Sequence, residues 1–220
     1  MGFIQNTIRG NKALLSCYHM YYTDMKKKTY SSIDQKRKIV FVHNPKVAGT
    51  SIRKMLGMEG SITHLTPDLL VNKKTWEEYF VVVAVREPIE RFISSYNYHT
   101  SDNYKGHYSE KYPDLSDWSI QRYFETFKNE PFGIINQVNY LRHPLSEKEP
   151  DFIIRFEKLA EDIQKLIALR EDLDDDFPFL NKSNKKMDLS ILKEDKAFMK
   201  KLIAFYEEDY RELNYSPPKV

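Results

Sequence analysis

The sequence predicts an α/β protein: a parallel β-sheet flanked by helices, in a single domain. Three observations carry that expectation. Short, continuous, β-branched runs recur along the chain, as strands buried on both faces require. The stretches between them read as helices, so strand and helix alternate. The chain has 220 residues, 41% of them apolar, which is one domain's length with a sizeable core.

Residues 1–37 are a polar lead-in in which Lys26, Lys27 and Lys28 read as a solvated face, and the domain proper is expected over 38–220. The first strand is Ile39-Val40-Phe41-Val42, which feeds a polar stretch holding Pro45 and Gly49. Thr50 to Leu56 reads as a helix. The second strand, Tyr79 to Val85 (YFVVVAV), runs directly into Arg86 and a following helix that carries Ser94. The third is Asp151 to Phe156 (DFIIRF). Phe156, Leu159, Ile163, Leu166 and Ile167 then recur at helical spacing, as do Met199, Leu202, Ile203, Tyr206, Tyr210 and Leu213. Each set is one apolar stripe and is assigned to the core. Between the two lies a long acidic, then Asn/Ser/Lys-rich loop, residues 170–186.

Composition excludes several functions. Lys plus Arg number 34 against 32 Asp plus Glu, and mean hydropathy is -0.62, which argues against a membrane span, a charged disordered tail or a generic nucleic-acid surface. Seven glycines, at 2, 10, 49, 57, 60, 106 and 133, cannot spell G-x-G-x-x-G. A single cysteine, Cys17, allows no internal disulfide and, with six dispersed histidines, no Cys-rich zinc site; a reducing compartment is expected. The first twenty-five residues hold no signal-peptide core, and Asn6 breaks the myristoylation pattern, so stable membrane insertion is not expected.

Chemistry concentrates in two segments. Phe41 to Ile52 (FVHNPKVAGTSI) is a strand, then Pro45-Lys46, then Ala48-Gly49-Thr50-Ser51 opening a helix. Outward N–H groups at a helix start, two hydroxyls and a lysine suit a phosphate-like anion. The Walker pattern is absent because the lysine precedes the glycine, and no strand ending in Asp supplies a magnesium ligand. An ordinary turn with a surface lysine is the alternative. In the second segment, Arg86 stands at the carboxyl end of a strand with Ser94 about two turns on, where ligands of open α/β sheets sit. A guanidinium there suits a second phosphate. The alternative is pairing of Arg86 with Glu87 or Glu90. Two anion sites after two buried strands suggest a nucleotide with phosphates at both ends of its ribose.

PKVAGTSI followed by VREPIERFISSY resembles the 5′-phosphosulfate and 3′-phosphate signatures of the PAPS-dependent sulfotransferases, in particular the Golgi-type carbohydrate branch and its bacterial relatives. HLTPDLL, Gln137-Val138-Asn139-Tyr140-Leu141, FIIRFEKLAEDI, PFLNKSN and FYEEDYRELNY resemble later blocks of that family in the same order, from residue 39 to residue 215. Glu87 departs from the usual Asn. The resemblance implies a P-loop-like sheet and 3′-phosphoadenosine 5′-phosphosulfate (PAPS) as donor, leaving as PAP, with no metal. It implies in-line sulfuryl transfer to a hydroxyl of a carbohydrate or glycoconjugate. By that resemblance Lys46 serves the bridging and leaving oxygens. Pro45, Ala48, Gly49, Thr50 and Ser51 cradle the 5′-phosphate, and Arg86 with Ser94 takes the 3′-phosphate.

His64, in a block similar to the family's His-containing segment, is the expected base, with His43 and Glu59 as alternatives. Asn181 and Ser183, with Lys182 and Lys185, either close over the nucleotide or form a solvated turn. The aromatic stretch from Tyr96 to Tyr123 is expected mostly to pack, with a minority lining an acceptor groove. Two other functions fit the same motifs: a P-loop nucleotide kinase and a non-catalytic module binding PAP or sulfated glycan. A soluble cytoplasmic protein of bacterial or viral type is expected rather than a Golgi-lumenal one, with no nucleic-acid partner.

Overall fold

The computed structural model describes residues 32–58, 60, 63–130, 134–173 and 187–220. In chain order the elements are β1 (Ile33–Asp34), β2 (Ile39–Val42), α1 (Gly49–Met55), α2 (Pro67–Leu70), α3 (Lys73–Glu78), β3 (Phe80–Val85), α4 (Pro88–His99), α5 (His107–Lys111), α6 (Ile120–Phe127), β4 (Phe152–Arg155), α7 (Leu159–Leu169), α8 (Leu189–Leu192), α9 (Lys196–Phe205) and α10 (Glu207–Glu212). The chain divides into two compact units. One comprises residues up to Val85 together with Asn139–Leu180; the other comprises Arg86–Val138 and Asn181–Val220.

The first unit holds the sheet, in the order β1-β2-β3-β4. β2 pairs parallel with β3 (Val40 opposite Val81), and β3 pairs parallel with β4 (Val83 opposite Ile153), as the α/β reading predicts. Every β2 residue is fully buried, and in β3 all but Phe80 are. This is why both runs are unbroken apolar sequence rather than alternating. β1 lies in the predicted lead-in, where it adds an antiparallel edge, Ile33 opposite Val40. Both edges are short, which limits the exposed ladder.

β4 is narrower than the predicted Asp151–Phe156, for reasons visible in its side chains. Asp151 uses its carboxylate rather than its backbone, accepting from Val81 N–H at 2.7 Å and from Lys148 Nζ at 2.7 Å. At the other end Arg155 N–H is taken by Asp162 at 2.8 Å, and Phe156–Lys158 tightens into a 3₁₀ turn that leads to α7. Ile163 and Leu166 of α7 pack with Phe41, Ile52 and Val82 in this unit's core. His143 is fully buried, its Nε2 3.2 Å from Val71 O and its Nδ1 accepting from Leu145 N–H at 3.2 Å. The carbonyl can only accept, so the proton sits on Nε2 and the ring is neutral.

The second unit is helical around an aromatic core of Phe92, Tyr123, Phe124, Phe127, Phe198 and Tyr206. Burying each such ring contributes about 1.5–3 kcal/mol relative to leaving it exposed. Asn97 fixes the segment before α8, donating to Met187 O at 2.7 Å and accepting Met187 N–H at 2.9 Å. The stripe predicted over 199–213 is two helices, because Tyr206 (φ -99°, ψ 16°) ends α9 and begins α10 while its ring stays in the core. No helix among the described residues is long and apolar enough to cross a membrane.

Candidate active site

In the first unit β2 delivers the chain into the loop Asn44–Ala48. Asn44 is buried, and its Nδ2–H donates to Ala84 O of β3 at 3.3 Å, which ties the loop's start to the neighbouring strand. Lys46 (φ 68°) and Ala48 (φ 62°) both adopt the left-handed conformation, with Val47 between them at negative φ. Each left-handed non-glycine residue costs about 1–3 kcal/mol. Alternation of this kind turns neighbouring amides toward one concave side, the geometry of an anion nest. Ser51 and Ile52 N–H then donate to Ala48 O at 3.0 and 3.2 Å, starting α1. Pro45, Lys46 and Ala48 are half-buried, Thr50 is exposed, and Gly49 and Ser51 are buried. Thr50 is therefore open to solvent, whereas Ser51 is enclosed by protein.

Gly49 has a structural role besides its place in the expected 5′-phosphate cradle. A Cβ there would lie 2.8 Å from His43 Cε1 and closer still to Nε2 and Cδ2. The missing side chain makes room for the His43 ring. That ring stacks on Phe41 (centroids 5.6 Å apart) and meets His64 edge-on at 4.5 Å. Burial, with His64 and Arg53 adding like charge, lowers the His43 pKa to about 2, so it is neutral, and among the described residues its Nδ1 has no hydrogen-bond partner.

His64 Nδ1 lies 3.0 Å from His43 O. A carbonyl cannot donate, so Nδ1 carries the proton and Nε2 is left as the basic nitrogen. Desolvation lowers the His64 pKa, the bond to His43 O opposes this, and the charges of Lys46 and Arg53 lower it further. The residue is exposed although its ring is crowded by protein atoms. Lys46, His43, Arg53 and His64 therefore form one electrostatic group. Arg53 itself is buried and donates to Met58 O and Gly60 O at 3.3 and 3.1 Å. Nothing in its sequence context singled it out. Tyr140, whose hydroxyl donates to His64 O at 3.4 Å, was likewise visible only as part of a family block.

The second unit carries Arg86 and Ser94. Arg86 Nη2 pairs with Glu90 at 3.4 Å, one of the alternatives open from the sequence. Glu90 and Ser94 are four residues apart on α4, so Arg86, Glu90 and Ser94 follow one flank of the helix's first two turns. Glu87 is the N-cap of α4: its carboxylate accepts Glu90 N–H at 2.6 Å and Tyr210 OH at 2.5 Å. Burial raises the Glu87 pKa, and these hydrogen bonds pull it back. The unusual Glu87 is thus a working cap. Tyr96, Tyr108, Trp118 and Tyr123 are buried in this unit's core, whereas Tyr98 is 47% exposed.

Asn181, Ser183 and the alternative base Glu59 lie outside the described residues. Among the described residues no group of three or more His, Cys, Asp or Glu is placed to hold a metal ion. In comparisons with curated proteins and with solved structures nothing matches. A family model described as "Sulfotransferase family" matches residues 30–216, which takes in the sheet, the Lys46 loop and the Arg86 segment. With 187 of 220 residues inside that match (216 - 30 + 1), the chain belongs to the sulfotransferase family, whose reaction is the transfer of a sulfuryl group to an acceptor.

Proposed function

We propose that the protein transfers a sulfuryl group from PAPS to a hydroxyl of a carbohydrate or glycoconjugate. The observation that carries this reading is His64, whose Nδ1 is committed to the His43 carbonyl at 3.0 Å and whose ring feels the charge of Lys46. A lysine on a nest-like loop and an imidazole with its basic nitrogen pointing away from the backbone are a charge stabiliser and a base. Each unit taken by itself offers donors for an anion: an ammonium, hydroxyls and left-handed backbone in the first, a guanidinium and a hydroxyl in the second.

PAPS, when bound, supplies the sulfuryl group and a stable leaving nucleotide. Lys46 is assigned to balance the charge that develops at the 5′ end, with Pro45, Ala48, Gly49, Thr50 and Ser51 shaping the loop around it. Arg86 and Ser94 are assigned to the 3′-phosphate. His64 Nε2 takes the proton of the acceptor hydroxyl, and the His43 carbonyl stabilises the resulting imidazolium through Nδ1–H. Positioning and charge then do most of the work, as in phosphoryl transfer.

Incubation with PAPS and a panel of glycans is expected to release PAP, and Lys46→Ala to slow release about 100-fold or more with the fold retained. PAP binding without transfer to any acceptor on a broad panel, unaffected by His64→Ala, would instead make the chain a binding module.

A further inference from the structure

Arg86 sits between the end of β3 and the start of α4, where neither a strand ladder nor a helix sets its backbone. Gln137 bonds to that backbone. It is fully buried, and its side-chain amide grips Arg86 from both sides: Oε1 accepts Arg86 N–H at 2.9 Å, and Nε2–H donates to Arg86 O at 2.7 Å. A primary amide used in this way copies the pairing of a neighbouring strand. The two residues are 51 positions apart, so the grip is a tertiary device.

Gln137 is held in turn. Asp209 of α10 is fully buried, and its Oδ1 accepts Val138 N–H at 3.0 Å. Burial raises the Asp209 pKa, while Arg91 and the amide groups of Gln137 and Val138 draw it back down. The order of support runs from α10 through Asp209 to the 137–138 segment, and from Gln137 to the backbone of Arg86. All of these residues belong to the second unit. Beyond them the Arg86 guanidinium is braced by Glu90.

We propose that Gln137, seated by Asp209, is a positioning residue that sets the aim of Arg86 at the 3′-phosphate of the donor. The inference rests on the reading of Arg86 given above. A guanidinium fork is effective only when directed, and its direction starts from the backbone that carries it. Releasing that backbone should therefore weaken recognition of one phosphate selectively, leaving the adenosine and the 5′ end as they were.

The test measures dissociation constants of the full chain for PAP and for adenosine 5′-monophosphate, which lacks the 3′-phosphate, together with KM for PAPS and kcat. Gln137→Met keeps the volume and deletes both hydrogen bonds; Gln137→Glu keeps the acceptor for Arg86 N–H and deletes the donor to its carbonyl. Thermal melting identifies any variant that fails to fold, in which case the other decides. Either variant is expected to bind PAP about tenfold more weakly with the monophosphate constant unchanged, and to raise KM for PAPS with little change in kcat. Equal losses for both nucleotides, or no loss in either, would overturn the positioning role. Arg86→Ala separates the two readings. If it abolishes the preference for PAP while both Gln137 variants keep it, Arg86 reads the phosphate and Gln137 does not aim it; if Arg86→Ala leaves the preference intact, the reading of Arg86 itself fails.

Discussion

Gly49→Ala tests whether the loop is built around the His43 ring. The added methyl would stand 2.8 Å from His43 Cε1, at least about 0.6 Å inside the roughly 3.4 Å of ordinary carbon contact, and nearer still to two other ring atoms. The ring has little room to retreat, since Phe41 lies on one side and His64 on another, and it is only 4% exposed. Overpacking of this kind costs about 1–3 kcal/mol, which in a chain of this size lowers Tm by roughly 2–12 °C. Displacing the ring also moves the His43 carbonyl that orients His64, so sulfuryl transfer should fall along with stability. Urea unfolding and PAP release are the assays, run on Gly49→Ala, His43→Ala and the double variant. Removing the ring should make the alanine at 49 tolerable, so the double variant is expected to be more stable than the sum of the two single losses predicts. A Gly49→Ala protein as stable as the parent, or a strictly additive double variant, would refute the packing argument.

His43 also predicts how stability depends on pH. Its folded pKa, about 2, lies below the ordinary value of about 6.5, so the unfolded chain binds the proton first on acidification. Stability from this group is complete above about pH 6.5 and is lost as pH falls toward about 2, at up to roughly 1.4 kcal/mol per pH unit. Urea midpoints between pH 7 and 5 should drop less in His43→Asn than in the parent; parallel curves would contradict the assignment. The lowered pKa of His64 places the acid limb of kcat/KM below the ordinary imidazole range, and His64→Asn should remove that limb. An acid limb persisting in His64→Asn would point to a different base. Tyr210→Phe leaves the Glu87 carboxylate short of a partner in a half-buried site and should cost about 1.5–3 kcal/mol in urea unfolding. An unchanged midpoint would show that the hydroxyl contributes nothing to the cap.

The sheet was legible where burial on both faces forces an unbroken β-branched run. Ile39–Val42 and the strand ending at Val85 have no polar residue to interrupt them, and the parallel pairing follows from the helices between them. β1 was not legible, since Ile33–Asp34 is too short to show a period and earns its place only by pairing with Ile39 and Val40. The break between α9 and α10 was hidden for a related reason. Tyr206 keeps its ring in the core, so the apolar spacing continues through a residue whose backbone does not. Strand ends shifted wherever a carboxylate, Asp151 or Asp162, took over a backbone partner, because side-chain substitution for a ladder leaves no local pattern.

The site divides along the same line. Lys46, the hydroxyls after it and Arg86 stand out in the sequence as candidates because their pattern is local to a strand end; Gln137 does not, since its partner is 51 residues away. The sequence resemblance places Gly49 in the phosphate cradle, and the structure adds that it makes room for His43. That difference bears on the electrostatics of the loop. Lys46, Arg53, His43 and His64 could all be cations, and four positive charges so close would repel one another. Burial and the neighbouring charges resolve the conflict by lowering both histidines, so that two fixed cations stand beside two neutral rings. His43, whose Nδ1 has no partner among the described residues, packs its ring and offers its backbone carbonyl; His64, with its Nδ1–H committed to that carbonyl, keeps a basic nitrogen at neutral pH. A protonated His64 would add one more charge for an anion but could take no proton. Under the proposed function, the crowding that would draw a sulfated nucleotide to Lys46 is also what would keep His64 available as a base.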